Sequence, residues 1–418
     1  MASGRAPLTF WNIHAGEASQ LQIYAHALER FRDEHPSVPV EMSPLQQDSY
    51  KTKLKLAMGA GAPPCVFTSW GGGPFFEYVR AGAVMDLTPR LGAGGFRDRF
   101  IPAAFSMATL DGKIYGVPME NSPVALVFYN RAQFARLGVT PPRTWDELVA
   151  VVHKLRAAGI APFALANKSK WPGAMYYMVL ATRLLGAAAF DAAATGQGAG
   201  LRDPAFVRAG ALIQELVRTG AFVEGFQGLD YETGQTRMLL YSGKAAMELM
   251  GSWMIPNARD ENPAFAAELD FFPFPAIAGG RGDPGELVGS LGDQVYSVST
   301  TCPHPDEAFA LIQQLTDEAA VAERLQDGYL PPLKGVRMKD PLMQRLAELV
   351  QAAPRVQLWY DQYLPPEVGE AMKDAVQGLF SLSLSPEEAA AQIEAAAAAV
   401  RARRAASLAA GAPPGGRR

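Results

Sequence analysis

The sequence predicts an α/β fold in two domains, each built on a mostly parallel sheet with helices on its faces. Three observations lead there. At 418 residues the chain exceeds what one hydrophobic core usually supports. Its opening segments alternate strand and helix, the pattern of a mostly parallel sheet. The stretch from Asp111 to Asn130 reads as two extended segments separated by a polar gap, Met119-Glu120-Asn121-Ser122-Pro123. Two readings of that stretch stay open: a hairpin followed by a core strand, or a crossing between two lobes whose exposed middle faces a cleft.

Leu8 to Asn12 is a short strand, and a helix from Ala18 to His35 follows with Leu21, Tyr24, Leu28 and Phe31 on one face. Val38 to Met42 is the second strand, and Asp48 to Met58 an amphipathic helix stopped by glycines and Pro63-Pro64. Cys65 to Trp70 is a buried strand running into Gly71-Gly72-Gly73, and Pro74 to Ala81 a helix. In sheets of this kind ligands bind beyond the carboxyl ends of the strands, which places Trp11 to His14 and Trp70 to Gly73 at a site. After the Asp111 stretch, Arg131 to Leu137 is helical, and Thr144 caps a second helix with Glu147 completing a capping box. Ile160 to Leu165 is a strand, Ala166 to Gly173 a loop carrying Trp171, and Ala174 to Leu185 a helix. Ala187 to Gly200 is rich in Ala and Gly and reads as a loop or a poorly ordered excursion. Phe206 to Thr219 is a helix. Ala246 to Met250 is a strand followed by glycine and Trp253, repeating the pattern at Trp70. Leu269 to Pro275 is an edge strand, Gly292 to Val298 an alternating strand, and Glu307 to Thr316 a helix. Leu330 to Lys334 reads as a second crossing, and a last helix runs from Pro386 to Ala406. Beyond it, a Gly, Pro and Arg tail has the composition of a disordered segment.

Composition narrows the function. Hydrophobic residues at 49% and charged residues at 19% describe a soluble globular protein, and a net charge of −4 with no basic face in the body argues against nucleic acid as a partner. No window approaches the ~20 apolar residues of a membrane span. The start, Met-Ala-Ser-Gly-Arg-Ala-Pro, lacks a charged n-region and an apolar h-region, so the protein is either cytoplasmic or read from a point past a removed signal. Cys65 and Cys302 make no CxxC or Cys/His ligand spacing. Each reads as a small buried hydrophobe, with a mutual disulfide as the other possibility.

The sequence has no GxSxG, HExxH, Walker loop, GxGxxG after a strand, or Asp-rich calcium loop. Gly71-Gly72-Gly73 lacks the Lys and Ser/Thr of a phosphate cradle. No metal site or cofactor is expected. His14 alone of the five histidines stands at a cleft edge, as a structural residue or a ligand contact. A carboxylate pair such as Glu120 with Asp293 or Asp361 would suit a hydrolase, though no sequence spacing supports one. What stands out is aromatic residues at strand ends and loops: Trp11, Trp70, Trp171, Trp253 and Trp359-Tyr360. Sugar rings carry C–H faces that pack on such rings and hydroxyl edges that need donors and acceptors. Asn12, His14, Gln46, Gln47, Asp48, Glu120, Asn121, Lys170, Asp293, Gln294 and Asp361 meet the second demand. Trp145, just after a helix N-cap, reads as core.

These residues make the chain resemble the extracellular solute-binding proteins of bacterial ABC-type sugar importers, the family of maltose-binding protein and its oligosaccharide-binding relatives. The resemblance rests on Trp11-Asn12, Ser49-Tyr-Lys-Thr-Lys-Leu-Lys, Ala62-Pro-Pro-Cys-Val-Phe, Asp111-Gly-Lys-Ile-Tyr-Gly-Val-Pro, Phe128-Tyr-Asn-Arg, Pro142-Arg-Thr-Trp-Asp-Glu-Leu, Gly243-Lys-Ala-Ala-Met and Gly251-Ser-Trp, in the family's order over nearly the whole length. It implies a two-lobed periplasmic-binding-protein-like fold with the ligand in the interlobe cleft. The lobes are then 1–116 with 288–331, and 117–287 with 332–408, before a disordered tail at 409–418. It further implies a monomer that takes a carbohydrate to the transmembrane subunits of a permease by hinge closure, without chemistry on the ligand, in a periplasm or tethered outside a cell. The missing signal and lipobox cysteine depart from the family and are read as a trimmed start. The expected ligand contacts are Trp11, Asn12, His14, Gln47, Asp48 and Trp70 from the first lobe, Glu120 and Asn121 at the crossing, Trp171 and Trp253 from the second lobe, and Asp293, Gln294, Trp359 and Asp361. The Ser69-Trp-Gly-Gly-Gly and Glu120-Asn121 variants look most like members that bind xylo-, gluco- or galacto-oligosaccharides or their monosaccharides. The same fold with a sugar phosphate or glycerophosphodiester would need cleft cations, for which Lys51 and Lys170 are the candidates.

Overall fold

The computed structural model of the chain describes residues 6–119, 121–292 and 294–409. In chain order the strands are β1 (Leu8–Asn12), β2 (Val40–Pro44), β3 (Val66–Ser69), β4 (Thr109–Leu110), β5 (Lys113–Ile114), β6 (Val117–Pro118), β7 (Ala125–Asn130), β8 (Ala161–Ala164), β9 (Ala245–Gly251), β10 (Leu269–Phe272), β11 (Leu287–Val288), β12 (Val295–Val298) and β13 (Val356–Gln357). The chain divides into two compact units. The first comprises the segment up to Pro123 with Leu291–Met343, the second Val124–Ser290 with the segment from Gln344 onward. The divisions thus fall at 123/124, 290/291 and 343/344, against 116/117, 287/288 and 331/332 from the sequence. Ala409 ends the helix Pro386–Ala409, and the rest of the expected tail lies outside the described residues.

The first unit carries a sheet in the order β2-β1-β3-β12-β6. The β1 strand alternates buried and half-buried residues, so Leu8, Phe10 and Asn12 face the core while Trp11 points to the other side. The helix Ala18–Glu34 covers that core with Tyr24, Leu28 and Phe31. Phe10 meets Tyr24 edge-on at 5.4 Å and Tyr296 at 6.0 Å. The β1 strand runs parallel to β2 and β3, whereas β12 is antiparallel to both β3 and β6. Cys65 and Cys302 form a disulfide with a sequence separation of 237. Their reading as isolated buried thiols is thereby corrected. Cys65 precedes β3 and Cys302 follows β12, and the Ser299 amide donates to the Cys65 carbonyl at 2.9 Å, so register brings the two sulfurs together.

The Asp111 stretch contains both structures its sequence allowed. Asp111 and Gly112, at φ 50° and 77°, turn the β4–β5 hairpin. The chain then contributes β6 to the first unit's sheet and, past Pro123, becomes β7 of the second. Leu330 to Lys334 is not a crossing. It belongs to the first unit, where the Ile101 amide donates to the Pro332 carbonyl and the Lys334 amide to the Arg99 carbonyl.

The second unit's sheet has the order β10-β7-β9-β8, with β10 at an edge as expected. Only β8–β9 is parallel, and β7 pairs antiparallel with both β9 and β10. The α/β class holds in both units, but strand directions are mixed. Strand–helix alternation, the sequence signal for parallel pairing, governs β1 to β3 and does not reach the strands that return after long connections. The helix Trp171–Leu185 is buried along its whole length. It begins at Trp171, three residues before the helix expected from sequence. Ala187–Ala194, read as a loop, is a helix that buries Phe190 against Tyr360, the rings stacked at 3.7 Å. Alanine is the strongest helix former, and that outweighs the flanking glycines. Thr144 accepts from the Glu147 amide at 3.3 Å, and the Glu147 carboxylate takes the Arg143 amide at 2.6 Å, one residue ahead of a standard capping box.

Removing the disulfide should be costly. In the chain-entropy account, opening a loop of this length forfeits about 5 kcal/mol. Cys65→Ser with Cys302→Ser should show a lower urea midpoint, and the wild type should titrate no free thiol when denatured without reductant. Stability insensitive to dithiothreitol would contradict this.

Glu248 in β9 is 1% exposed. Burial pushes its carboxyl up to about 7; Thr236 and Arg237 offset part of that and Glu261 adds to it. The folded state therefore holds a proton that the unfolded chain releases near 4.5, so this group's stabilising contribution is full in acid and declines as pH rises from about 4.5 through 7. Glu248→Gln should remove a decline of about 3 kcal/mol over that window, seen as a flatter melting temperature between pH 5 and 8. An unchanged pH profile would count against it.

Candidate functional site

In the first unit, predicted residues sit at the ends of β1 and β3. Asn12 is fully buried, and its Oδ1 accepts from the His14 amide at 3.1 Å. Its Nδ2 has no hydrogen-bond partner among the described residues. His14 places Nδ1 3.0 Å from the Glu17 carboxylate. Because a carboxylate only accepts, Nδ1 carries a proton, and Nε2 is buried with no hydrogen-bond partner among the described residues. Trp11 and Trp70 are half-buried, and lysines cover both: Lys53 Nζ lies 4.2 Å from the Trp11 ring and Lys51 Nζ 4.8 Å from the Trp70 ring.

Tyr50 fixes Trp70. Its hydroxyl donates to the Thr68 carbonyl at 2.6 Å and accepts the Thr68 amide at 3.1 Å, while its ring meets Trp70 edge-on at 6.0 Å. Complete burial pushes the Tyr50 phenol well above its usual range. Gly71 then turns the chain at φ 68°, where a Cβ would fall 2.5 Å from the Met107 carbonyl oxygen. Gln47 and Asp48 open the helix Gln47–Gly59, with Asp48 exposed and 3.8 Å from Lys51.

Asn121 is buried, with Oδ1 accepting the Leu330 amide at 3.1 Å and the Ser122 amide at 3.0 Å. Its carbonyl oxygen thus braces backbone. Gln294 is 3% exposed with Oε1 unpartnered among the described residues. Glu120 and Asp293 lie outside the described residues.

In the second unit the expected tryptophans meet. Trp253 follows β9, Trp171 opens its buried helix, and Trp359 precedes the short helix Tyr360–Tyr363. Trp171 lies 6.0 Å from Trp253 at 65°, and Trp253 lies 5.9 Å from Trp359 at 51°. The row continues through Tyr231, 4.6 Å from Trp171 and nearly perpendicular to it. Sequence reasoning missed Tyr231 because it lies in a polar turn, away from any strand end. The turn is stitched to the residues before Trp171: the Tyr231 amide donates to Ser169 Oγ at 3.0 Å, Ser169 Oγ to Asp230 at 3.3 Å, and the Lys168 amide to the Leu229 carbonyl at 3.1 Å. Against the upward push of burial, the Glu232 amide and Lys168 hold the Asp230 carboxyl below its ordinary range. Trp359 and Trp171 are 3% and 9% exposed, whereas Trp253 and Tyr231 are half-buried. The Trp171 indole nitrogen has no hydrogen-bond partner among the described residues. Asp361 is half-buried in the short helix that follows Trp359, and Lys170 pairs with Asp374. Trp145 is core, as read, and donates to Glu215 at 3.3 Å.

The model of the family described as bacterial extracellular solute-binding protein matches residues 15–322. A multiple sugar-binding protein of Streptococcus mutans is 25% identical over 333 residues, covering 77% of this chain and 75% of its own length. A probable sugar-binding periplasmic protein of Mesorhizobium japonicum is 28% identical over 247 residues, covering 58% and 57%. A solved structure from work on xylan utilisation by the thermophilic bacterium Caldanaerobius polysaccharolyticus matches with a TM-score of 0.86 at 31% identity, over 93% of this chain and 99% of that one. A chitin oligosaccharide binding protein matches at 0.85 and 25% identity, over 95% and 100%. Motif order, fold and these matches agree: the chain belongs to the bacterial extracellular solute-binding proteins of ABC sugar importers.

Proposed function

We propose that this protein binds a mono- or oligosaccharide, leaves it chemically unchanged, and delivers it as a monomer to the membrane permease of an ABC importer. The row Tyr231–Trp171–Trp253–Trp359 carries the reading, because rings of this kind pack on the C–H face of a sugar. Unpartnered polar atoms supply the complementary chemistry. Asn12 Nδ2 and Trp171 Nε1 are donors, Gln294 Oε1 is an acceptor, and His14 Nε2 is a further polar atom, all without a partner among the described residues. An unsatisfied buried polar group costs about 1–3 kcal/mol, so a hydroxyl that meets one regains that amount. A few such contacts give micromolar binding, about −8 kcal/mol, after the entropy of association. Sugar-binding relatives and a chitin-oligosaccharide binder support the ligand class.

Delivery would follow from an open–closed equilibrium that the ligand biases through contacts stronger in one state, with the hinge at the three chain crossings. The Cys65–Cys302 disulfide supports an oxidising location, a periplasm or the outside of a cell. An anionic ligand is disfavoured by one observation: Lys51 is paired with Asp48 and Lys170 with Asp374.

A thermal-shift panel of mono- and oligosaccharides tests the reading. A true ligand at a hundred times its Kd adds about 2.7 kcal/mol to stability and raises the melting temperature. A response to glycerophosphodiesters and to no carbohydrate would overturn the sugar assignment, and release of product from an oligosaccharide would overturn pure binding. Trp253→Ala should weaken binding at least tenfold in calorimetry, and undiminished affinity would remove Trp253 from the site.

A further inference from the structure

We infer that Gly251 is a positioning residue for the binding platform: its missing side chain is the space in which the Trp253 indole lies. The inference rests on the sugar-binding reading for its consequence, but its geometry stands apart from it. A Cβ at position 251 would sit closer than 3.0 Å to three carbons of the indole's six-membered ring, Cζ3, Cε3 and Cη2, a separation that Cβ atoms do not adopt. Backbone conformation does not explain the glycine. Gly251 is absent from the residues with positive φ and pairs regularly with Ala125 as the last residue of β9. Gly71, after the other strand that ends in a tryptophan, differs here, because its φ of 68° itself favours glycine.

The indole cannot simply move aside. Trp171 stands at 6.0 Å and Trp359 at 5.9 Å, both buried, and Ser252 Oγ accepts the Val124 amide at 3.4 Å, tying the turn to the neighbouring strand. A methyl group at 251 therefore displaces the ring from its present contacts with the two tryptophans and changes the surface that a sugar would meet.

The first readout needs no ligand. Gly251→Ala should alter the near-ultraviolet circular dichroism of the tryptophan bands while the far-ultraviolet spectrum keeps its shape. In calorimetry with xylo- and chito-oligosaccharides it should lose tenfold or more in affinity, and in a Trp253→Ala background the same change should add no further loss. If Gly251→Ala fails to fold, the double variant should fold, since the conflicting ring is gone. A wild-type dichroism spectrum in Gly251→Ala, an equal loss of affinity in both backgrounds, or a double variant that also fails to fold would each overturn the inference. Should Trp253→Ala keep full affinity while Gly251→Ala still changes the spectrum, the placement of the ring stands and the sugar-platform reading falls.

Discussion

Strand β12 is the constraint on which the first unit depends. It lies between β3 and β6, so the sheet is complete only after the chain has left as Val124–Ser290 and returned. Its Tyr296 and Val298 fill the same core as Phe10 and Val66, and the disulfide just beyond it fixes its register against β3. A strand recruited from so far along the sequence carries a large loop-closure cost. The covalent link reduces that cost by restricting the unfolded chain. The end of β3 that bears Trp70 is therefore held by β12 as well as by Tyr50.

Two strand ends in this protein share one sequence device, strand then glycine with a tryptophan beside it, yet physics selects the glycine differently each time. After β3, Gly71 adopts a backbone angle that other residues reach only with strain, and it passes close to the Met107 carbonyl. After β9, Gly251 is conformationally ordinary and yields volume to a ring two residues on. A matching pattern of letters does not imply a matching cause. The consequence differs too: replacing Gly71 strains a turn, whereas replacing Gly251 moves a side chain.

Much of the local structure was legible because its signals are local. The limits of β1, the helical faces, the Thr144 cap and the Asp111-Gly112 hairpin each follow from a few neighbouring residues. The disulfide was legible only as the second of two readings, since 237 residues separate its cysteines and sheet register brings them together. The antiparallel pairings of β7 also escaped, because strand direction is settled by where long connections return. Ala187–Ala194 was misread because glycines at its margins masked a run of strong helix formers. Strand-end and loop position singled out Trp171, Trp253 and Trp359, which the structure brings together, but not Tyr231, whose place depends on hydrogen bonds between two separate loops. For Asn121, expected as a ligand contact, only the structure shows that its side-chain oxygen is engaged with backbone amides.

The tryptophans also differ in what they can contribute. A ring buried on all sides has little face to offer, so in the proposed site Trp359 and Trp171 would act mainly through the half-buried Trp253 they flank. Their contacts with it, at 51° and 65°, are inclined rather than parallel-stacked. That arrangement reduces the rotamer freedom Trp253 has to lose when a ligand packs on it, a loss that otherwise runs to about 0.5–1.5 kcal/mol for each immobilised side chain. Trp11 and Trp70 are arranged on the opposite principle. Each has an ammonium over its ring, and a neutral sugar would have to displace that cation before stacking there. A preorganised ring is thus a feature of the second unit, while in the first Asn12, His14 and Gln294 each keep a buried polar atom with no hydrogen-bond partner among the described residues.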